Sequence, residues 1–176
     1  MGVHYLSLPA GRLHKYFLNV AIYFSLSVTI LLYLLLAGKF IGFPDYQSPF
    51  RDIYGYDLIA READQILKVN PKKKKALAVG EWTMGSRIMY YSIPFSHEVF
   101  VIDERRDQFD LWQRNPPEGY DLLVADSHFS QRHFVEGLSC DRIEPVGDID
   151  LVLQGGKVDT IAFIWCYNYR GKGAKQ

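Results

Sequence analysis

The sequence YFLNVAIYFSLSVTILLYLLLAG, residues 16–38, contains no charged side chain. As an α-helix it would be roughly 34 Å long, which is enough to cross a hydrocarbon core about 30 Å thick. A cleaved signal peptide is the alternative, but its apolar region would be shorter, about 7–15 residues, and would end in a small-x-small cleavage site. Because LLLAGKFIG, residues 34–42, fits such a site poorly, we predict a retained transmembrane helix.

Basic residues set the expected orientation of this helix. Arg12 and Lys15 precede it and Lys39 follows it, so the positive-inside rule favours a cytoplasmic N-terminus and a C-terminal part outside the cytoplasm. We expect the chain to divide into a pre-membrane segment, a transmembrane helix, a linker and a soluble α/β domain, at residues 1–15, 16–38, 39–53 and 54–176 respectively.

The composition of the chain indicates a folded domain. Its 176 residues are 48% hydrophobic and 15% aromatic, which suffices for one domain with its own core. Three of the 20 basic residues but none of the 20 acidic ones precede Asp45, so the rest of the chain has an excess of negative charge. That excess argues against nucleic acid as a partner.

Hydrophobic periodicity predicts an α/β sandwich with a mixed sheet. Apolar residues at helical spacing predict a helix from Tyr54 to Val69, and short apolar runs predict three buried strands. Gly155-Gly156 between two further apolar runs is typical of a tight antiparallel turn. A parallel centre with an antiparallel edge follows, with strands at 76–80, 98–102, 120–125, 149–153 and 158–165 and shorter helices at 85–92 and 131–138.

Two short constellations could carry ligands. The turn Gly80–Gly85 after a strand has two glycines of a dinucleotide or methyl-donor loop, but Trp82 and Met84 would crowd a phosphate or an adenosine, so we favour an ordinary strand–helix turn. Asp126, His128 and His133 could be metal ligands, but the spacing of the histidines does not put them on one helical face. We therefore expect a surface loop there and assign no metal site.

Two polar stretches have a binding interpretation and a simpler one. The run Lys72–Lys75 could contact anionic lipid headgroups or phosphate, or it could be a solvated loop. The charged segment Asp103–Asp107 is followed by Phe109 and Trp112. These aromatic residues could anchor the loop to the domain, or form a surface that stacks on sugars or faces the membrane.

The two cysteines leave the redox state open. Cys140 and Cys166 are not in a CxxC pair and belong to no Cys/His cluster with zinc spacing. In an oxidising compartment they could form a disulfide, and otherwise they would be unpaired small apolar side chains. No nucleophile motif, P-loop or HExxH is present, so the residues by themselves identify no catalytic group.

Several short motifs occur in the order found in one family. Tyr54-Gly55-Tyr56-Asp57-Leu58-Ile59-Ala60 is similar to a Gly-Trp-x-x-Leu-Ala helix opening, and Ser86–Tyr91 to a helix that ends in Phe-Tyr. Gln108-Phe109-Asp110-Leu111-Trp112 is similar to Gln-Tyr-Asp-Leu-Trp, and Tyr167–Gly171 to a tail with Tyr-Arg-Gly. The chain thus resembles the C-terminal region of bacterial membrane glycosyltransferases of the dolichyl-phosphate-mannose protein mannosyltransferase-like family, which includes the aminoarabinose transferases. The motif residues are Gly55, Tyr91, Gln108, Asp110, Trp112 and Arg170.

The resemblance implies a location and a reaction. Residues 16–38 would be the last transmembrane segment, in the inner membrane, and the soluble domain would be periplasmic. The donor would be a sugar linked to polyprenyl phosphate. The family's catalytic acidic residues belong to an early external loop that has no counterpart here, and any divalent metal the family requires would bind at a site that this chain does not contain. We therefore expect the chain to be inactive alone and to act with a multi-helix membrane glycosyltransferase subunit. The alternative is a single-pass anchored binding or scaffold module of the cell envelope.

Overall fold

The first of two compact units contains the apolar helix. In a computed structural model, the chain forms units at residues 1–42 and 43–176. Helix α1 spans Arg12–Leu36 and so begins before the predicted Tyr16. Residues 14–35 are long and apolar enough to cross a membrane, a test that a signal sequence near an N-terminus also passes. The residues that the structure describes are 11–36, 42–72, 74–102, 118–130 and 134–171.

One hydroxyl of α1 is satisfied inside the helix. Thr29 Oγ1 donates a hydrogen bond of 2.8 Å to the carbonyl oxygen of Ser25, one turn earlier. Threonine side chains commonly make this bond to the preceding turn of a helix, and it leaves the hydroxyl with no need of a partner outside α1.

The second unit is a mixed α/β fold. Its five-stranded sheet has the order β2-β1-β3-β5-β4, in which β1 is parallel to both β2 and β3, and β5 is antiparallel to both β3 and β4. The predicted mixed sheet with an antiparallel edge is confirmed. In chain order the elements are α2 (Tyr56–Val69), β1 (Lys75–Val79), α3 (Trp82–Ser92), β2 (Glu98–Val101), β3 (Asp121–Ser127), a 3-10 turn (Phe134–Gly137), β4 (Arg142–Leu153) and β5 (Gly156–Tyr167).

Both faces of the sheet are covered near its centre. Helices α2 and α3 pack on one face, where Ile59 and Leu67 of α2 meet Leu123 and Phe163 of the sheet. The other face contains Leu122 and a group around the 3-10 turn and the chain end, namely Val124, Val135, Leu138, Cys166 and Tyr169. Strand β3 is therefore buried on both sides, which explains the uninterrupted apolar run Leu122–Ala125 at its centre.

Two turns have backbone conformations that require particular residues. Gly55 precedes α2 with φ +88°, and a side chain there would also overlap Leu151 of β4. The β4–β5 connection has φ +58° at Gln154 and +84° at Gly155, as in the two-residue hairpin turns that match the twist of the strands. The two central residues of the observed turn are thus Gln154 and Gly155, one residue earlier than the predicted Gly155-Gly156.

Two predicted elements differ from the structure by more than a few residues at their ends or in type. Strand β4 begins at Arg142 and not at Ile149, because edge pairing continues past Pro145 through a register shift before Gly147. Proline lacks an N–H and is tolerated only where no ladder bond is needed, as at such an irregular edge. The helix predicted at 131–138 is a 3-10 turn in its described part, with Leu138 N bonded to Val135 O, and residues 131–133 lie outside the described residues.

Gly85 allows close approach of α3 to the sheet, and this predicts a loss of stability on substitution. A Cβ at Gly85 would overlap Val101 Cγ2 and lie 3.2 Å from Val79 Cγ2. Overpacking costs about 1–3 kcal/mol, more than the roughly 1 kcal/mol that alanine gains over glycine in a helix. We expect Gly85→Ala to lower the free energy of unfolding, measured by urea titration of the detergent-solubilised chain.

The matched control is Gly137→Ala, because a Cβ at Gly137 meets nothing within 4 Å. Its free energy of unfolding should stay within about 0.5 kcal/mol of the wild type. Equal unfolding midpoints for all three proteins would contradict this packing of α3.

Candidate functional sites

A disulfide joins the two cysteines. Cys140 precedes β4 and Cys166 lies in β5, and their Cα atoms are 5.4 Å apart. The two strands are direct neighbours, since Ile143 pairs with Cys166. Cys166 is completely buried in the face of the sheet that also contains Leu138. The bridge therefore fastens the segment that leads into β4 to the core.

The carboxyl edge of the parallel strands is the usual ligand site of such sheets. Strands β2 and β3 flank β1 on opposite sides, so the switch point lies where β1 and β3 end. Met84 is buried in the core and Gly85 faces Val101, so neither is available to a phosphate or an adenosine. These placements fit the ordinary strand–helix turn, one of the two interpretations of Gly80–Gly85.

Polar side chains at the end of β3 stabilise the loop that follows the strand. Ser127 Oγ donates to Asp159 Oδ2 at 2.6 Å and accepts from the backbone N–H of Phe129. The His128 ring stacks on Tyr46 with centroids 4.6 Å apart. Among the residues that the structure describes, no group of three His, Cys, Asp or Glu could hold a metal ion. His133, the third predicted candidate, lies outside them.

The predicted linker is partly built into the domain. Asp45 Oδ1 accepts from Lys157 N at 2.8 Å, and Tyr46 OH lies 3.1 Å from Thr160 Oγ1. Thr160 Oγ1 in turn donates to Asp150. The hydrogen bond from Lys157 to Asp150 lowers the pKa of that carboxyl and raises the pKa of the lysine. Residues 43–54 thus run against the β4–β5 hairpin through hydrogen bonds that fix their path.

A serine, a histidine and an aspartate meet beside α3. His97 Nε2 lies 3.2 Å from Ser92 Oγ, and His97 Nδ1 lies 3.6 Å from Asp64 Oδ1. Burial lowers the pKa of His97, and the nearby Asp64 carboxylate opposes that shift. Ser92 is 5% exposed and Phe95 stacks on the imidazole ring. We interpret the trio as a structural connection between α2, the end of α3 and the start of β2.

A cleft of about 730 Å³ opens at the amino end of β3, between α2 and the outer strands. The buried Asp121 accepts hydrogen bonds from Lys72 Nζ at 2.8 Å and from Asn168 N at 3.0 Å. Lys75 Nζ bonds to the carbonyl oxygen of Asn70. Two members of the lysine run thus have partners within the domain, while Lys72 and Lys74 remain exposed between α2 and β1. Lys73 lies outside the described residues.

The family-motif residues occupy separate places. Gly55 lies before α2 and under Leu151, while Tyr91 is exposed on α3 with its ring against Tyr90. Arg170 Nε lies 2.7 Å from Asp141 Oδ1, and hydrogen bonds from Asn168 and Arg170 hold the pKa of Asp141 below its ordinary value. The remaining three, Gln108, Asp110 and Trp112, lie outside the described residues.

Comparison with known proteins identifies no relative. No family model matches the chain, no curated protein matches it, and no solved structure matches it.

The buried His97 predicts a pH-dependent stability. Since the pKa of His97 is lowered on folding, the unfolded chain binds a proton more readily, and stability must rise with pH where the two states differ. The contribution is fully present above about pH 6.5, the ordinary histidine pKa, and is lost as the pH falls below it. His97→Gln should flatten this part of the profile, measured as urea midpoints between pH 5 and 7.5.

His128→Gln is the control, because His128 is exposed. It should keep the wild-type dependence on pH. The assigned burial would be contradicted if the urea midpoint of the wild type rose as the pH fell from 6.5 to 5 and this rise were absent in His97→Gln.

Proposed function

We propose that this chain is the membrane anchor and extracytoplasmic domain of a glycosyltransferase that takes a sugar from polyprenyl phosphate. Catalysis is assigned to a multi-helix membrane subunit, and the chain alone is inactive. The order of the family-like motifs around the described α/β fold carries the proposal. Two of them mark fixed points of that fold, since Gly55 sets the start of α2 and Arg170 holds Asp141 at the chain end.

The disulfide supports a location outside the cytoplasm. Disulfides persist in the periplasm and are rare in the reducing cytosol. The bond between Cys140 and Cys166 therefore favours the same side as the weak charge asymmetry around α1. An inner-membrane helix with a periplasmic domain is the arrangement that satisfies both.

This location predicts an oxidised, stabilising disulfide. A bridge between residues 26 positions apart contributes about 3 kcal/mol in the chain-entropy description. The double variant Cys140→Ser, Cys166→Ser should lose free energy of unfolding of that order. In non-reduced membranes, alkylation followed by mass spectrometry should find neither thiol modified.

Reduction of the wild type provides the matched comparison, because it should lower the urea midpoint toward that of the double variant and leave the double variant unchanged. Free thiols at both positions in freshly isolated, unreduced membranes would contradict the proposed compartment.

Sugar transfer tests the activity itself. Membrane vesicles from cells without this chain should fail to transfer a labelled sugar from its polyprenyl-phosphate donor. Re-expression of the wild type should restore transfer, and Gly137→Ala, which meets nothing within 4 Å, should restore it equally. Purified chain in detergent should transfer no sugar.

Two results would contradict the proposal. Transfer by the purified chain alone would show that catalysis does not need a second subunit. Unchanged transfer in vesicles without the chain would instead favour the anchored binding or scaffold module.

A further inference from the structure

We infer that the cleft at the amino end of β3 binds a phosphate ester of an apolar alcohol. The phosphate would lie at Lys72 and Arg142, and the apolar chain along Val69 and Val146. The inference rests on the proposed function, since a sugar carried by polyprenyl phosphate is such an ester. It assigns that ligand to a cleft of the folded domain.

The cleft exists because the β4–β5 pair extends beyond the helices. Helix α2 ends at Val69, whereas the first part of β4, from Arg142 to Asp148, is exposed along its length. The uncovered sheet face and the flank of α2 border an open groove of about 730 Å³. That volume is within the usual range of small-molecule sites, about 300–1,000 Å³.

The walls of the cleft are largely apolar and in contact with solvent. Val69 is 84% exposed and Val146 is 43% exposed, and both line the space together with Ile66 and Trp165. Concave apolar surface of this kind gains free energy when an apolar chain replaces water. A polar ligand such as a free sugar would leave these walls without a partner.

Two cations at the rim of the cleft have N–H groups that can donate hydrogen bonds to a ligand. Lys72 Nζ is held 2.8 Å from the buried Asp121, which leaves two of its three N–H groups beyond that bond. The Arg142 guanidinium lies 4.4 Å over the Tyr167 ring and contacts Glu144 through Nη2 at 3.0 Å, which leaves further N–H groups. The described bonds thus fix both cations and keep donors for a ligand.

The acceptors of the rim are already engaged. Asp121 accepts from Lys72, Asn70 and Asn168, and Asp141 accepts from Asn168 and Arg170. Each described cation therefore has a carboxylate beside it, and the attraction for a ligand comes from directed N–H groups more than from net charge. The N–H groups of Lys72 and Arg142 that remain beyond these bonds can donate to phosphate oxygens.

Geranyl phosphate is a suitable probe because it joins a short apolar chain to one phosphate and is soluble. The full chain is placed in phosphatidylcholine nanodiscs, and binding is measured by equilibrium dialysis, with empty nanodiscs subtracted. We expect saturable binding, with geraniol and inorganic phosphate each at least about tenfold weaker. Arg142→Gln should weaken binding about tenfold, and Val69→Ser roughly threefold.

Surface variants that do not line the cleft provide matched controls. Arg61→Gln, on the exposed side of α2, and Val152→Ser, an exposed apolar position on β4, should bind geranyl phosphate as the wild type does. The test variants are themselves exposed, so folding is expected to be retained and is checked by the urea midpoint.

Three results would overturn the inference: no binding above empty nanodiscs, binding that Arg142→Gln and Val69→Ser leave unchanged, or equal binding of inorganic phosphate. Phosphatidylglycerol in the nanodiscs distinguishes the source of the ester. Displacement of geranyl phosphate would support a membrane lipid, and no displacement would support a prenyl phosphate. If Arg142→Gln and Val69→Ser abolish binding of geranyl phosphate but still restore sugar transfer in vesicles, only the cleft assignment is overturned. If the chain binds geranyl phosphate but vesicles without the chain transfer sugar normally, only the proposed function is overturned.

Discussion

Strand β3 is buried from Asp121 to Asp126, and the rest of the domain is arranged around it. A strand covered on both faces is apolar along its centre, and buried polar groups at its ends need hydrogen-bond partners from elsewhere. Asp121 at its start receives hydrogen bonds from Lys72 and Asn168, and Ser127 at its end bonds to Asp159. One end of this strand therefore positions the polar groups around Asp121, and the other end positions those around Ser127.

The outer strands add surface that the two helices do not cover. Strand β4 is an open edge, and such edges can pair with other chains. Pro145, the register shift before Gly147 and the exposed Asp148 all disfavour regular pairing there. The same uncovered region forms one wall of the cleft beside α2. The open edge strand of the hairpin therefore lies at the site that we assign to a ligand.

Much of the fold could be predicted from the sequence, whereas the cleft could not. Apolar runs identified β1, β2 and β3, and helical periodicity identified α2. The first half of β4 was missed because Pro145 and alternating charges hide an edge strand that is exposed on both faces. Cleft residues such as Asn70 and Asn168 are far apart in sequence and only the strand order unites them. Cysteine spacing left the disulfide open, because bonding depends on β4 and β5 being neighbours.

Labelling of introduced cysteines measures directly on which side of the membrane the domain lies. Gln65→Cys places a thiol on the exposed side of α2, and His4→Cys places one before the apolar helix. A membrane-impermeant maleimide is applied to cells with a permeabilised outer membrane, before and after the inner membrane is broken. For a domain outside the cytoplasm, we expect Gln65→Cys to be labelled before breakage and His4→Cys only afterwards. The reverse order would place the domain in the cytoplasm and rule out the proposed location.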